Sequence, residues 1–316
     1  MSNSALATSV SPSAHQAYDY AQVDVFAERP LEGNALAIFT DARGLSDDAM
    51  QALARETNLA ETTFIFPRDP EVEAREGVRV RIFTTEEELP FAGHPTLGTA
   101  TWLYFNHPVL RGADTITLRL NVGPITVRFD PQDEGVPGVR STMLQNDPVF
   151  GATHDRAAVA RAIGLSEDDL SAEYLPQTVS TGVPFCIVLL RSLEVSQRLQ
   201  IAQRDAQAWL ASSGSQFFYC IAPIAAKGEG EPRWHARMQF YSGEDPATGS
   251  AAGCCIAWLV KVGLVGSEQE VVIEQGIEIR RPSRIRVQAR LEEGGVTGVL
   301  VSGRTIPVAE GRVFLP

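Results

Sequence analysis

Two stretches of this chain open with a proline set among small residues, continue as helices without a charged face, and stand half a chain apart. The first is Gly93-His94-Pro95-Thr96-Leu97-Gly98-Thr99-Ala100, running on to Phe105. The second is Glu244-Asp245-Pro246-Ala247-Thr248-Gly249-Ser250-Ala251, running on to Val260. Pro, Gly, a small hydroxyl residue and Ala coincide at an offset of 245 − 94 = 151 residues. Upstream, Gly33-Asn34-Ala35-Leu36-Ala37-Ile38-Phe39 matches Gly182-Val183-Pro184-Phe185-Cys186-Ile187-Val188 at an offset of 182 − 33 = 149. Two matches at nearly one offset point to a duplicated unit. A helix that is apolar all round is buried all round, so each unit is expected to fold its strands around one central helix.

The local pattern agrees with a strand-rich chain. Runs over 18–26, 35–40, 62–66, 78–83, 115–120 and 125–129 read as strands. Between them, 47–57 reads as a helix: Ser46 is a good N-cap, Asp47 and Asp48 suit the positive end of the dipole, and Asn58 is a left-handed stop. Met50, Leu53 and Ala54 give that helix one apolar face. Proline favours the first turn, so the later helices are expected to begin near Pro95 and at Pro246. The second half repeats the order, with strands over 183–190, 216–221 and 235–241 and a helix around 205–211. The expected fold is α+β: two pseudo-symmetric domains, each a curved, mostly antiparallel sheet wrapped around a central buried helix. Residues 1–17 are expected as a disordered tail, 18–133 and 134–300 as the two halves, and 301–316 as a closing segment free to return to the first.

Composition excludes several classes of function. The 316 residues carry a net charge of −12 and are 44% hydrophobic. The acidic balance argues against a nucleic-acid partner, because phosphate binding rests on clustered Lys and Arg. The longest apolar stretch, Ser250 to Val260, ends at Lys261, well short of the roughly 20 residues a membrane span needs. The Ser- and Ala-rich start has neither a basic nor a continuous apolar region, so no signal peptide is read there. The four cysteines, Cys186, Cys220, Cys254 and Cys255, form no CxxC pair. Neither a zinc site nor a disulfide framework is expected, and reduced thiols fit a cytoplasmic protein.

The chemistry is expected at the two helix starts. Buried helix ends must satisfy their first N–H groups, and such ends attract anions. If the halves pack with two-fold pseudosymmetry, the starts face each other across one cleft and a small carboxylate fits between them. Gly93, Thr96, Thr248, Gly249 and Ser250 are then the candidate substrate-binding residues. His94 and Asp245 occupy equivalent positions and make a complementary acid–base pair. Taken alone, His94 also reads as a histidine satisfied in a turn, and Asp245 as a plain N-cap. Glu61, a lone Glu at a strand start, reads on physical grounds as solvated.

Taken together, "VDVFAERPLEGNALAIF", "NLAETTFIF", "ELPFAGHPTLGTA", "RMQFYSGEDPATGSAAG", "QGIEIRRPSRIRV" and "VSGRTIPVAEGRVFLP" resemble the phenazine-biosynthesis (PhzF-like) isomerase family over nearly the whole chain. The resemblance implies a diaminopimelate-epimerase-like fold with the active site between two similar domains, a homodimer, and no metal or organic cofactor. It implies that Glu61 is the catalytic general acid/base and that His94 and Asp245 line the cleft. Ser250 supplies a site hydroxyl, and Gly93 and Gly249 offer backbone N–H groups to substrate. The family's best-known reaction isomerises trans-2,3-dihydro-3-hydroxyanthranilate, a carboxylate moving a proton between ring carbons. The wider epimerases and racemases use two cysteines at the helix starts, which this chain lacks. Cys254 and Cys255 fall inside the second helix as small core residues. The segment 238–244 is shorter than the family's usual approach to the second motif and alters one wall of the cleft. Two other readings stay open: an epimerase or racemase of an amino-acid-like substrate with non-Cys bases, and a non-catalytic binding protein on the same scaffold.

Overall fold

The computed structural model describes residues 16–132, 134–224, 232–241 and 243–315. The first half runs β1 (Gln16–Val25), β2 (Asn34–Phe39), α1 (Asp47–Thr57), β3 (Thr62–Phe66), α2 (Pro70–Glu76), β4 (Val78–Phe83), β5 (Glu88–Leu89), α3 (Gly93–Asn106), β6 (Thr115–Leu120), β7 (Gly123–Phe129) and β8 (Val139–Leu144). The second runs β9 (Val149–Thr153), α4 (Arg156–Ala162), β10 (Gln177–Ser180), β11 (Pro184–Leu189), α5 (Leu193–Gln197), α6 (Gln203–Ser213), β12 (Phe217–Pro223), β13 (Arg233–Arg237), β14 (Gln239–Phe240), β15 (Gly243–Glu244), α7 (Gly249–Lys261), β16 (Val271–Gln275), β17 (Ser283–Glu292) and β18 (Gly295–Leu315).

The strands pair in the same sequence twice. β1 pairs β2 antiparallel, β2 runs parallel to β3, β3 pairs β4 antiparallel, and β4 runs parallel to β6 across the α3 crossover. In the second half β10, β11, β12, β13 and β16 follow the same antiparallel, parallel, antiparallel, parallel order, with α7 in the place of α3. The remaining pairings among the described residues are antiparallel. β18 joins the halves: it pairs β17, then β8, and finally β1 from Val25↔Thr305 to Gln16↔Leu315. The circuit β1-β2-β3-β4-β6-β7-β8-β18 thereby closes on itself as a barrel-like sheet.

Several boundaries differ from the sequence reading, each for a local reason. The tail expected over 1–17 falls on residues 1–15, which lie outside the described residues, and on Gln16 and Ala17. Those two instead open β1, because Leu315 and Phe314 supply its hydrogen-bonding partners. α3 begins at Gly93, so Pro95 is its third residue, still within the turn whose N–H groups have no helical acceptor. α7 begins at Gly249, not at Pro246. The strand expected over 235–241 stops at Arg237, and β14 and β15 form a separate small hairpin closed by Asp245 N–H to Met238 O at 2.9 Å.

α1 shows how a short helix is set. Ser46 accepts from Ala49 N–H, an N-cap worth roughly 1 kcal/mol, and the left-handed Asn58 ends the helix at φ 51. Met50, Leu53 and Ala54 pack on Phe39, Phe64 and Phe83, with Phe39 and Phe64 stacked at 5.0 Å. α3 and α7 are buried along nearly their whole length. α3 packs against β1, β2, β3, β6, β7, β8 and β18, and α7 against β10, β11, β17 and β18. Their apolar residues belong to one core continuous through both halves. Gly98 fits α3 against the sheet: a methyl group there would lie 2.6 Å from Leu36 Cδ2 and 2.9 Å from Val25 Cγ2. Gly98→Ala is therefore expected to cost about 1–3 kcal/mol through overpacking. Thermal unfolding should show a lowered midpoint; an unchanged one would mean that α3 is not seated this closely.

Candidate active site

The two apolar helices meet at their starts. A Cβ built on Gly93 would lie 3.5 Å from Ser250 N and 3.8 Å from Gly249 C, so α3 and α7 touch tip to tip. Neither start receives a side-chain cap. Two sets of backbone donors and two positive dipole ends thus converge on one seam.

Glu61 enters this seam from just before the start of β3. The left-handed Asn58 turns the chain out of α1, and Leu59-Ala60 lead into β3, whose Thr62 pairs Ala37 of β2. The Glu61 side chain is 18% exposed, and its Oε2 lies 3.4 Å from His94 Nε2. Both atoms are buried and without a hydrogen-bond partner. Desolvation, reinforced by the negative charge of Asp245, lifts the Glu61 carboxyl from 4.5 to about 8. Glu61 is therefore not the solvated residue its position alone suggested. Burial acts oppositely on His94 and lowers its pKa to about 3, so the imidazole is neutral.

Asp245 comes from the other half. It is not the N-cap of α7, a role that falls to Thr248. Its Oδ1 accepts from Asn34 Nδ2 at 2.8 Å and its Oδ2 from Thr248 Oγ1 at 2.5 Å. Burial raises its pKa to about 6 against the lowering effect of Thr248, the Ala247 N–H and Asn34. Arg237 fixes the approach to it, holding Glu244 at 2.8 and 2.6 Å while donating to the Ser196 and Leu199 carbonyls. Near neutral pH the seam thus holds a protonated Glu61, a neutral His94 and a largely ionised Asp245.

The candidate substrate-binding residues divide into two groups. Gly93, Gly249 and a partly exposed Ser250 lie at the touching tips. Thr96 does not offer its hydroxyl to the seam: it is fully buried and donates to Ala92 O at 2.7 Å. The Thr248 hydroxyl is engaged by Asp245 and by Gln275 Nε2 at 2.9 Å. It positions Asp245.

Sequence reasoning missed Asn34 and Gln275. Asn34 Nδ2 reaches Asp245 Oδ1, Ala247 O at 3.0 Å and His94 Nδ1 at 3.4 Å. Gln275 donates to Asp245 O at 2.8 Å and accepts from Thr248 N–H at 3.2 Å and Tyr219 O–H at 3.0 Å. A signal for Asn34 existed: in the internal match it stands opposite Val183, so the start of an apolar strand is polar in one half only. The loop carrying Asn34 is tied to the second half by Arg281, which donates to Gly33 O, Glu32 O and the buried Asp24. Gly33 is at φ +69, and a Cβ there would come 2.3 Å from Val25 O, so this turn requires glycine.

Among the described residues no three His, Cys, Asp or Glu side chains are grouped as metal ligands. The four cysteines are buried, and burial pushes Cys254 up to about 11 and Cys220 up to about 12, which leaves them protonated and weak as nucleophiles.

The sequence model of the phenazine biosynthesis-like protein family matches residues 23–311. The chain belongs to this family. It is an isomerase, the class that its relatives at about 33–35% identity are named for. One relative, the trans-2,3-dihydro-3-hydroxyanthranilate isomerase of Pseudomonas chlororaphis, is 35% identical over 94% of this chain and 100% of its own length. A Pseudomonas aeruginosa structure described as a predicted epimerase superposes with a TM-score of 0.77 at 38% identity, covering 94% of this chain and 99% of its own. A Bacillus anthracis member of the phenazine biosynthesis family has the same fold, with a TM-score of 0.83 at 24% identity, covering 95% and 100%.

Burial of an acid with a raised pKa carries a stability signature. The folded protein keeps the Glu61 proton that the unfolded chain releases, so stability is lost as pH rises from about 4.5 to about 8. Gln cannot ionise. Between about pH 5 and pH 9, Glu61→Gln should therefore gain about a few kcal/mol relative to wild type in urea unfolding. A stability difference that stays constant across that range would contradict the raised pKa.

Proposed function

We propose that this family member is a cofactor-independent isomerase that moves a proton on a small cyclic amino- or hydroxy-carboxylate, the class trans-2,3-dihydro-3-hydroxyanthranilate represents. The observation that carries this reading is the pair of unpartnered buried atoms, Glu61 Oε2 and His94 Nε2, 3.4 Å apart beside two uncapped helix tips. Buried polar atoms without partners are rare in folded proteins, and here a substrate would complete them. In this reading the scaffold is diaminopimelate-epimerase-like, two pseudo-symmetric halves each curved around its own helix, α3 or α7. The working protein is a cytoplasmic homodimer.

The substrate carboxylate binds the N–H groups of Gly93, Gly249 and Ser250. Glu61 protonated at rest lowers the electrostatic cost of bringing that anion in. A carboxyl with a pKa of about 8 is ionised in about a tenth of molecules at neutral pH, and once ionised it is a stronger base than an ordinary carboxylate. Glu61 takes a proton from one ring carbon and returns it to another. The charge that develops meanwhile is stabilised by the helix tips. His94 and Asp245 orient the amino and hydroxyl groups.

The epimerase alternative finds less support. The positions where thiols would act carry His94 and Asp245, and Cys254 and Cys255 are buried within α7. Turnover of trans-2,3-dihydro-3-hydroxyanthranilate in deuterated water decides the matter. Wild type should form the isomerised product, with deuterium entering the ring carbon that receives the proton whenever Glu61 exchanges with solvent. Glu61→Gln should bind the substrate and lose about 10²–10⁴-fold or more in kcat. Full activity in that variant would refute the role of Glu61, and inversion of a stereocentre without a double-bond shift would favour the epimerase.

A further inference from the structure

Asn34 joins the two halves at the seam, and its amide orientation is determined by its neighbours. Its terminal atom lies 2.8 Å from Asp245 Oδ1 and 3.0 Å from Ala247 O, both acceptors. Were the amide turned over, its oxygen would face a carboxylate and a carbonyl with no proton between them. The nitrogen therefore faces inward. That nitrogen also lies 3.4 Å from His94 Nδ1. The amide nitrogen carries two hydrogens for these three neighbours, so the His94 contact is a weak, shared one. Because the nitrogen only donates, Nδ1 facing it is favoured as the lone-pair nitrogen, since a proton there would meet the amide hydrogens. In a neutral imidazole the proton is then on Nε2, which points toward Glu61.

We propose that Asn34 is a positioning residue that holds His94 in the Nε2–H form, making His94 a hydrogen-bond donor to an oxygen of the substrate while Glu61 alone exchanges the proton with carbon. Resting on the isomerase reading, this adds to it a requirement on the ligand: the group facing His94 must be an acceptor, such as a carboxylate, carbonyl or enolate oxygen. It also divides the labour between two groups that proximity alone would leave interchangeable. The same amide braces Asp245, so one side chain of the first half sets an imidazole of its own half and a carboxylate of the other.

The test is the tautomer of His94, read from the ¹⁵N shifts of its ring nitrogens in labelled protein and assigned by loss of the signal in His94→Gln. Wild type should show the proton on Nε2. In Asn34→Asp an oxygen replaces the donor, and the proton should move to Nδ1 or a second proton should appear there. Asn34→Ala should give a mixture of tautomers. In Asn34→Asp kcat should fall on the order of 10²-fold, and by more than KM rises. Thermal unfolding reports whether each variant is folded. If Asn34→Asp does not fold, the tautomer and kcat of Asn34→Ala carry the test. A wild-type proton on Nδ1, or an unchanged tautomer in the folded variants, would overturn the proposal. The ring-nitrogen measurement needs no substrate. Failure of the isomerase reading, seen as full activity in Glu61→Gln, is thus separable from failure of this one.

Discussion

Two helix starts are buried against each other with no side chain closing either one, and the character of the site follows from that contact. Backbone N–H groups out of water need an acceptor, and at a pair of positive dipole ends the fitting acceptor is an anion. The same removal from water acts on every titratable group nearby. It lifts the carboxyls of Glu61 and Asp245 and lowers the imidazole of His94. One environment thus keeps an acid protonated and a base neutral, a combination that water would not permit at the same pH.

Such a seam works only if both tips are held in place. The sheet does this through β18, which pairs strands of both halves in turn. Locally, Arg281 and Ser283 do it. Arg281 binds the Gly33 turn and the buried Asp24, and Ser283 donates to Pro246 O at 2.8 Å. The turn that leads into Asn34 and the segment that carries Asp245 are therefore both tied to the turn at Arg281 and Ser283.

Local order was legible in the sequence wherever it is decided by neighbours in the chain. Ser46, Asp47 and Asn58 place both ends of α1, and the apolar runs place β3, β4 and β6. The internal match brought out both helix-start segments and the residues beside them, although it began the second helix at Pro246 and the structure begins it at Gly249. Resemblance to a known family, and not residue physics, singled out Glu61, because a glutamate at a strand start gives no local sign that another half of the chain will bury it. Gln275 was invisible for a related reason, and Asn34 showed only as a polar residue where the matching strand start has Val183. Their partners lie 30 and 211 residues away, respectively, at Asp245, and amide side chains have no periodicity to betray them. Pro246 misled in the other direction. A proline is welcome at a helix start, but here Thr248 takes the capping position and the preceding residues form the turn that carries Asp245 into the seam.

A crystal structure of the protein soaked with 3-hydroxyanthranilate tests the central claim most directly. The carboxylate should lie within hydrogen-bond distance of the backbone N–H groups at Gly93 and at Gly249 or Ser250, with a ring carbon against Glu61 and an oxygen against His94 Nε2. Ligand held elsewhere on the surface, with the two helix tips closed on each other and Glu61 untouched, would contradict it.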